Sequence, residues 1–285
     1  RIFALFVAAG KEGAVRPMNR LLLHLAPLPV LVACIYPFAW MFFSSFKTNK
    51  EIYRPSQLLP EDYEWDSYSA LWSGEYLPFL DYFIHSILVS GGQAILATLV
   101  TAAAGFAFAK FGFRGSGWLF GVAVLVILVP KQALAVHLFE WMAWLGWQGD
   151  LWSLALPGVA SGLGVIFFTQ VFRKVPAELV DLARVEGLSP VRIFALLLPL
   201  VAPALVTYCF LHFILSWQEH LLPLLMLDDE NLTLPIALAK LKDSSHRIPE
   251  AVGMAAATLS LIPVVVLFGL CFLKMKTALV ELSLS

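Results

Sequence analysis

Six stretches of the chain stay apolar over the length a bilayer demands of a spanning helix, about 20 residues. They run roughly over 21–46, 84–109, 118–138, 151–172, 196–222 and 251–273. The pattern therefore predicts six spanning helices. The leading run 2–10 is apolar but only about half a span long, and Lys11 and Arg16 follow it. It reads as an interfacial or leader segment without a convincing small-residue cleavage pattern. Three connections are long: 47–83, rich in Pro, Asp, Glu, Tyr and Trp; 173–195, charged yet patterned; and 226–250, which carries Asp228-Asp229-Glu230 and then a short amphipathic piece over 232–241. The remaining connections are short, which predicts one bundle over 1–285 and no separate soluble domain.

Composition agrees with the pattern. Of 285 residues, 60% are hydrophobic and 14% charged, with a mean hydropathy of +0.80. Soluble domains run nearer about 45–50% and about 25%, and a larger core does not account for the excess, because a domain of this size still has to cover its surface. The chain reads as an integral membrane protein. Its net charge of −1 offers no basic field for nucleic acid. The distribution of charge says more. Arg1, Lys11, Arg16, Arg20, Lys110, Arg114, Arg173, Lys174, Arg184, Arg192, Lys274 and Lys276, 12 of the 19 Lys and Arg, fall on one set of connections and ends. Most acids fall on the other. By the positive-inside rule both termini are expected in the cytoplasm, with 47–83 and 226–250 outside. Cys34, Cys209 and Cys271 all lie in apolar runs and read as small hydrophobes. No CxxC, HExxH or GxxxxGK[ST] is present, so the sequence offers neither a zinc-protease signature nor a nucleotide-binding loop.

The 173–195 connection predicts its own local structure. Pro176 suits the start of a helix, and Glu178 and Asp181 follow in its N-terminal part. Val180, Leu182 and Ala183 recur at helical spacing, and Gly187 is placed to end the helix in a left-handed turn. Ser189-Pro190 then reads as the N-cap and first residue of a second short helix. Taken alone, this is an amphipathic segment at a membrane surface. Its wording adds to that. Pro176, Glu178-Leu179, Asp181-Leu182-Ala183, Glu186-Gly187-Leu188-Ser189, Phe194 and Leu198-Pro199 resemble the EAA loop of permease subunits of binding-protein-dependent ABC importers, most closely the carbohydrate branch with the smaller maltose-importer permease. Asp181, Leu182 and Glu186 stand where the family has Glu, Ala and Asp, and the spacing from Gly187 to Pro199 is one residue short. The likeness extends along the chain through Ser45-Phe46-Lys47, Ala104–Lys110 with Phe113-Arg114-Gly115, Val129-Pro130-Lys131-Gln132, Ser216-Trp217-Gln218-Glu219 and the small-residue stretch 255–263. His137 stands where a proline is usual, and the tail lacks the family's glycine-rich ending.

The resemblance implies an all-α, six-transmembrane-helix bundle of the type I ABC importer permease kind, with a cytoplasmic coupling helix, in a bacterial or archaeal inner membrane. It implies a second permease subunit as heterodimer partner, two copies of an ABC ATPase, and an extracytoplasmic solute-binding protein. This chain would be no enzyme and hold no cofactor or metal; ATP and Mg would sit on the partner ATPase. Coupling to that ATPase would fall to Glu178, Asp181, Ala183, Arg184, Glu186, Gly187 and Leu188. Binding-protein contact would fall to Asp228, Asp229, Asn231 and Leu232.

Ionisable groups inside spans are costly and default to function. Lys131, with Gln132 and His137 near it, either snorkels to the outer headgroups or lines a substrate pathway; His137 reads first as a packing residue and second as a pathway residue. Trp217, Gln218 and Glu219 belong either to the outer aromatic belt or to the pathway's mouth, where an indole stacks on a sugar and amides grip hydroxyls. In the pathway reading Lys131 and Glu219 face each other across a wet cavity. Gln93, Gln170 and His212 read as interhelical glue, and Thr98, Ala102 and Gly105 as a close-packing face. A sugar or polyol is the first substrate reading and a glycerol-phosphate diester the second. A six-span membrane enzyme or channel is the alternative class, but no span carries facing carboxylates, an HxxxH or a filter-like loop.

Overall fold

The computed structural model describes residues 25, 27–54, 57–243 and 248–284, of which 243 and 273–284 as backbone only. The leading run 2–10 and the start of the first apolar stretch lie outside the described residues. Helix α1, Leu28–Ser44, carries Pro29 in its first turn, where a missing N–H costs nothing, and Pro37 in its interior. Two short helices follow, α2 (Asn49–Ile52) and α3 (Asp66–Ser73). The chain then enters α4, Phe79–Lys110, whose 32 residues span about 48 Å at 1.5 Å per residue.

A polar and small-residue stripe runs down α4: Ser86, Ser90, Gln93, Thr98, Thr101, Ala102 and Gly105 are all buried. Thr98 and Thr101 donate back to the carbonyls of Ala94 and Ala97, so their hydroxyls need no distant partner. A Cβ on Gly105 would lie 2.6 Å from the Phe168 Cβ. Only glycine lets the two helix backbones approach there, as the small-residue reading expects.

The third and fourth apolar stretches are not straight rods. The third is α5 (Ser116–Leu128), a 3-10 turn (Lys131–Leu134) and α6 (Ala135–Trp144), with a 94° bend between its halves. Pro130 has no N–H to continue the ladder and holds Val129 extended (φ −88°, ψ 115°). The fourth is α7 (Trp152–Val159) and α8 (Gly162–Arg173), bent by 45°. Ser161 opens α8 by accepting the Gly164 N–H at 3.3 Å.

The chain continues through α9 (Ala177–Val185), α10 (Pro190–Leu197), α11 (Ala202–Trp217), α12 (Leu221–Met226), α13 (Leu234–Asp243) and α14 (Glu250–Leu284). Among the described residues three stretches, Phe79–Lys110, Pro199–Trp217 and Glu250–Phe272, are long and apolar enough to cross a bilayer unbroken. The two bent pairs raise this to five, and α1 adds a shorter apolar helix. Helix α4 is the axis of the molecule: α7, α8, α11 and α13 all pack on it. Buried side chains gather near its Phe79 end (Tyr82, Met142, Met226, Leu232, Ala237) and near its Lys110 end (Phe106, Phe172, Val180, Ile193, Leu197). A third cluster joins it to α11 and α14.

Candidate functional site

At the Lys110 end of α4, α9 and α10 form the helix–turn–helix the sequence predicts. The inner face of α9, Val180 and Ala183, packs on Phe106, Phe172 and Ile193. Gly187 takes φ 75°. Its N–H bonds the Arg184 carbonyl at 2.9 Å and the Leu188 N–H bonds the Ala183 carbonyl at 3.0 Å. This pair of bonds closes a helix with a left-handed residue, and Leu188 folds back onto the core. Ser189 has the N-cap backbone conformation ahead of Pro190, though its hydroxyl makes no capping bond.

The outward face of α9 mixes acids with apolar residues. Glu178, Asp181 and Glu186 are exposed, and so are Leu179, Leu182 and Val185, the last at 85%. The apolar three recur every third residue and form a stripe with no cover among the described residues. Arg184 turns to α4 instead. Its guanidinium donates to the Lys110 carbonyl at 2.9 Å, lies 5.0 Å from the Phe111 ring centre, and meets Asp181 at 3.2 Å. Lys110 in turn donates to the Val175 carbonyl. The segment is thus bolted to the end of the long helix. Of the seven predicted coupling residues, Glu178, Asp181, Glu186 and Gly187 face outward, Ala183 is buried, Leu188 is half-buried, and Arg184 is a tie. Lys110 and Phe111 take part in the same attachment, and Leu182 and Val185 in the same outward face. The three-residue spacing of Leu179, Leu182 and Val185 was the available signal for two of them.

Near the Phe79 end of α4 the 226–250 connection is held by one helix face. Tyr82 donates to the Asp229 carbonyl at 2.8 Å, His85 Nδ1 meets the Leu232 carbonyl at 3.3 Å, and Ser86 Oγ accepts the Leu234 N–H at 2.7 Å. Asp228, Asp229 and Glu230 are exposed, and Lys240 reaches Asp229 at 2.6 Å. Asn231 donates to the Gly149 carbonyl at 2.9 Å. Leu232 is only 3% exposed and packs into the core with Ile236 and Ala237. The apolar run therefore serves the loop's own packing. Leu232 presents no outward surface, because α4 offers it an apolar seat.

The predicted pathway residues are only partly gathered. Lys131 and Gln132 sit at the 94° corner, exposed, and His137 is exposed on α6. Lys131 lies within electrostatic reach of His212 on α11. Trp217 is buried in the helix crossing and has little surface at an open mouth. It is 6% exposed, stacked on Phe213 at 5.5 Å and edge-on to Phe83 at 5.8 Å. Gln218 is exposed at the end of α11. Glu219 Oε1 accepts the His220 and Leu221 N–H groups at 3.1 and 3.0 Å, capping α12. Ion pairs among the described residues join Arg54 to Glu61, Arg184 to Asp181 and Lys240 to Asp229; Lys131 and Glu219 are not joined. Gln93 bonds the Leu154 carbonyl across two helices as expected of glue, whereas Gln170 is exposed on α8. No group of acids, histidines or cysteines among the described residues is arranged to hold a metal.

Residues 94–274 match the family model described as "Binding-protein-dependent transport system inner membrane component". The trehalose transport system permease protein SugB of Mycobacterium tuberculosis is 30% identical over 243 residues, 84% of this chain and 87% of its own. The sn-glycerol-3-phosphate transport system permease protein UgpE of Agrobacterium fabrum is 28% identical over 277 residues, 91% of this chain and 96% of its own. A chain in the crystal structure of a bacterial ABC transporter involved in the import of the acidic polysaccharide alginate has the same fold, with a TM-score of 0.79 at 18% identity over 91% of this chain and 98% of that one.

Proposed function

The chain belongs to the family of binding-protein-dependent transport system inner membrane components, and from that premise we propose that it is the permease subunit of an ATP-driven importer of a sugar or related polyol. It forms the pathway as a single permease domain together with a second permease subunit. Two copies of an ABC ATPase bind ATP and Mg and do the hydrolysis, and a solute-binding protein delivers the substrate from outside. The Lys110 end of α4 and both termini lie in the cytoplasm, as the basic residues favour. The observation that carries the reading is the outward face of α9. Exposed acids and an uncovered Leu179–Leu182–Val185 stripe suit a cleft on the ATPase, and the ties from Arg184 and Lys110 let a movement of α9 pull on α4. Bistable docking of this kind converts a local closure into a rigid-body rotation of helices.

Relatives named for trehalose, trehalose/maltose and arabinooligosaccharide transport support a carbohydrate. Relatives named for sn-glycerol-3-phosphate transport support a second reading, and the exposed cation Lys131 suits a phosphate. Calorimetry on the solute-binding protein that stimulates this complex tests both. Heat with trehalose, maltose or arabino-oligosaccharides and none with glycerol 3-phosphate is the expected result. Heat with glycerol phosphates alone replaces the sugar reading by the second.

A further inference from the structure

The segment 232–235 crosses α4 above a small, partly open chamber. Its volume for water centres is about 20 Å³, and its polar lining is Ser86, Ser90 and Gln93 of α4, Ser216 and Glu219 at the end of α11, and Thr233 of the crossing segment. Thr233 stands directly before α13, where a threonine hydroxyl ordinarily accepts from the first N–H groups of the helix. Here it is 4% exposed and its Oγ has no hydrogen-bond partner among the described residues. A buried hydroxyl left so is costly. Its neighbours have capacity to spare. Ser86 Oγ accepts the Leu234 N–H and keeps its own proton to donate. Gln93 commits Nε2 to the Leu154 carbonyl, leaving Oε1 as an acceptor. Glu219 uses Oε1 for two N–H groups, leaving Oε2.

An internal water needs roughly 10–15 Å³ of such space and two to four polar partners, and this chamber meets both conditions. We propose that it binds one water, which pairs the Thr233 hydroxyl with the polar stripe of α4 and seats the crossing segment on that helix. The lining favours water over a small cation. It holds four hydroxyls that donate as readily as they accept, and its one carboxylate already accepts two N–H groups. The water site is a property of this chain's interior and stands independently of the transport reading.

Valine matches threonine in shape and lacks the hydroxyl, so the sign of its effect separates the cases. If the hydroxyl is dry, Thr233→Val removes an unpaired buried polar group and is neutral or stabilising; if a water serves it, the change removes a hydrogen bond and strands the water. Amide hydrogen exchange over 232–237, in the full chain within its membrane complex in nanodiscs, reads this directly. Thr233→Val should speed exchange by roughly 3- to 10-fold. Thr233→Ser should stay within about twofold of the native chain, since the hydroxyl remains. Ser90→Ala combined with Thr233→Val should cost less than the two separately, because both changes address one water. Unchanged or slower exchange in Thr233→Val overturns the proposal. Native protection that falls when sodium chloride is replaced by choline chloride also overturns it, and assigns the chamber to a cation.

Discussion

Gly187 holds φ 75° in open space, since a Cβ there meets no atom within 4 Å. A substitution at this position is therefore a pure test of backbone conformation. A β-branched residue in the left-handed region costs about 1–2 kcal/mol, whereas Asn visits it readily. Gly187→Val should leave the chain inserted and assembled while abolishing uptake and binding-protein-stimulated ATPase activity; Gly187→Asn should keep most of both. Full stimulation in a well-assembled Gly187→Val complex contradicts coupling through α9. Arg184 tests a different link. Its tie to the Lys110 carbonyl and the Phe111 ring joins α9 to α4, and Lys keeps the charge without the planar fork that makes both contacts. Arg184→Lys is expected to cut stimulated ATPase by roughly 5-fold or more, the low end of an allosteric coupling energy, with basal hydrolysis unchanged. Equal ratios of stimulated to basal rate in the two proteins would show that the tie carries no coupling.

At the scale of elements, α4 is held at both ends, by Tyr82, His85 and Ser86 on the 226–250 connection and by Lys110 on the 173–195 connection. Side chains at i, i+3 and i+4 share one helix face, so the three grip neighbouring backbone groups from one side of α4. Combining Tyr82→Phe with Ser86→Ala removes two hydrogen bonds, each worth about 1 kcal/mol. The double variant is expected to keep basal ATPase and lose much of the binding-protein stimulation; retention of both excludes α4 as the connecting element. The existence of such helices was legible in the sequence, because an apolar window about 20 residues long has few other uses. The helix–turn–helix at Gly187 was legible for a similar reason: Pro176, Gly187 and Pro190 each act locally. Shape was less legible. Pro130 was visible, yet a 94° corner and a mild kink share one sequence signature, and the outcome depends on how α6 packs against α12. The burial of Trp217 depends on Phe83, which the crossing of α4 and α11 brings beside it, and a belt tryptophan and a core tryptophan have the same local sequence. Likewise the bond from Arg184 to Lys110 joins positions 74 apart, beyond any local pattern.

For the whole molecule the decisive quantity is the side on which each end of α4 lies. The acids Asp228, Asp229 and Glu230 sit near its Phe79 end and the exposed acids of α9 near its Lys110 end, so acidic surface alone does not orient the bundle. The basic residues do: Lys110, Arg114, Arg173, Lys174, Arg184 and Arg192 cluster on the connections at the Lys110 end, and translocating them would oppose the positive-inside bias. Single cysteines at Glu230 and Glu178, both exposed, probe the two sides without breaking a tie described above. They belong in a background with Cys34, Cys209 and Cys271 replaced by Ala, since Cys34 is itself exposed. In intact cells an impermeant maleimide should label Glu230→Cys and not Glu178→Cys, and the order should reverse in inside-out vesicles. Labelling of Glu178→Cys in intact cells would invert the bundle and put the α9 face beyond the reach of a cytoplasmic ATPase. The coupling reading fails with that result, whatever the chain's substrate is.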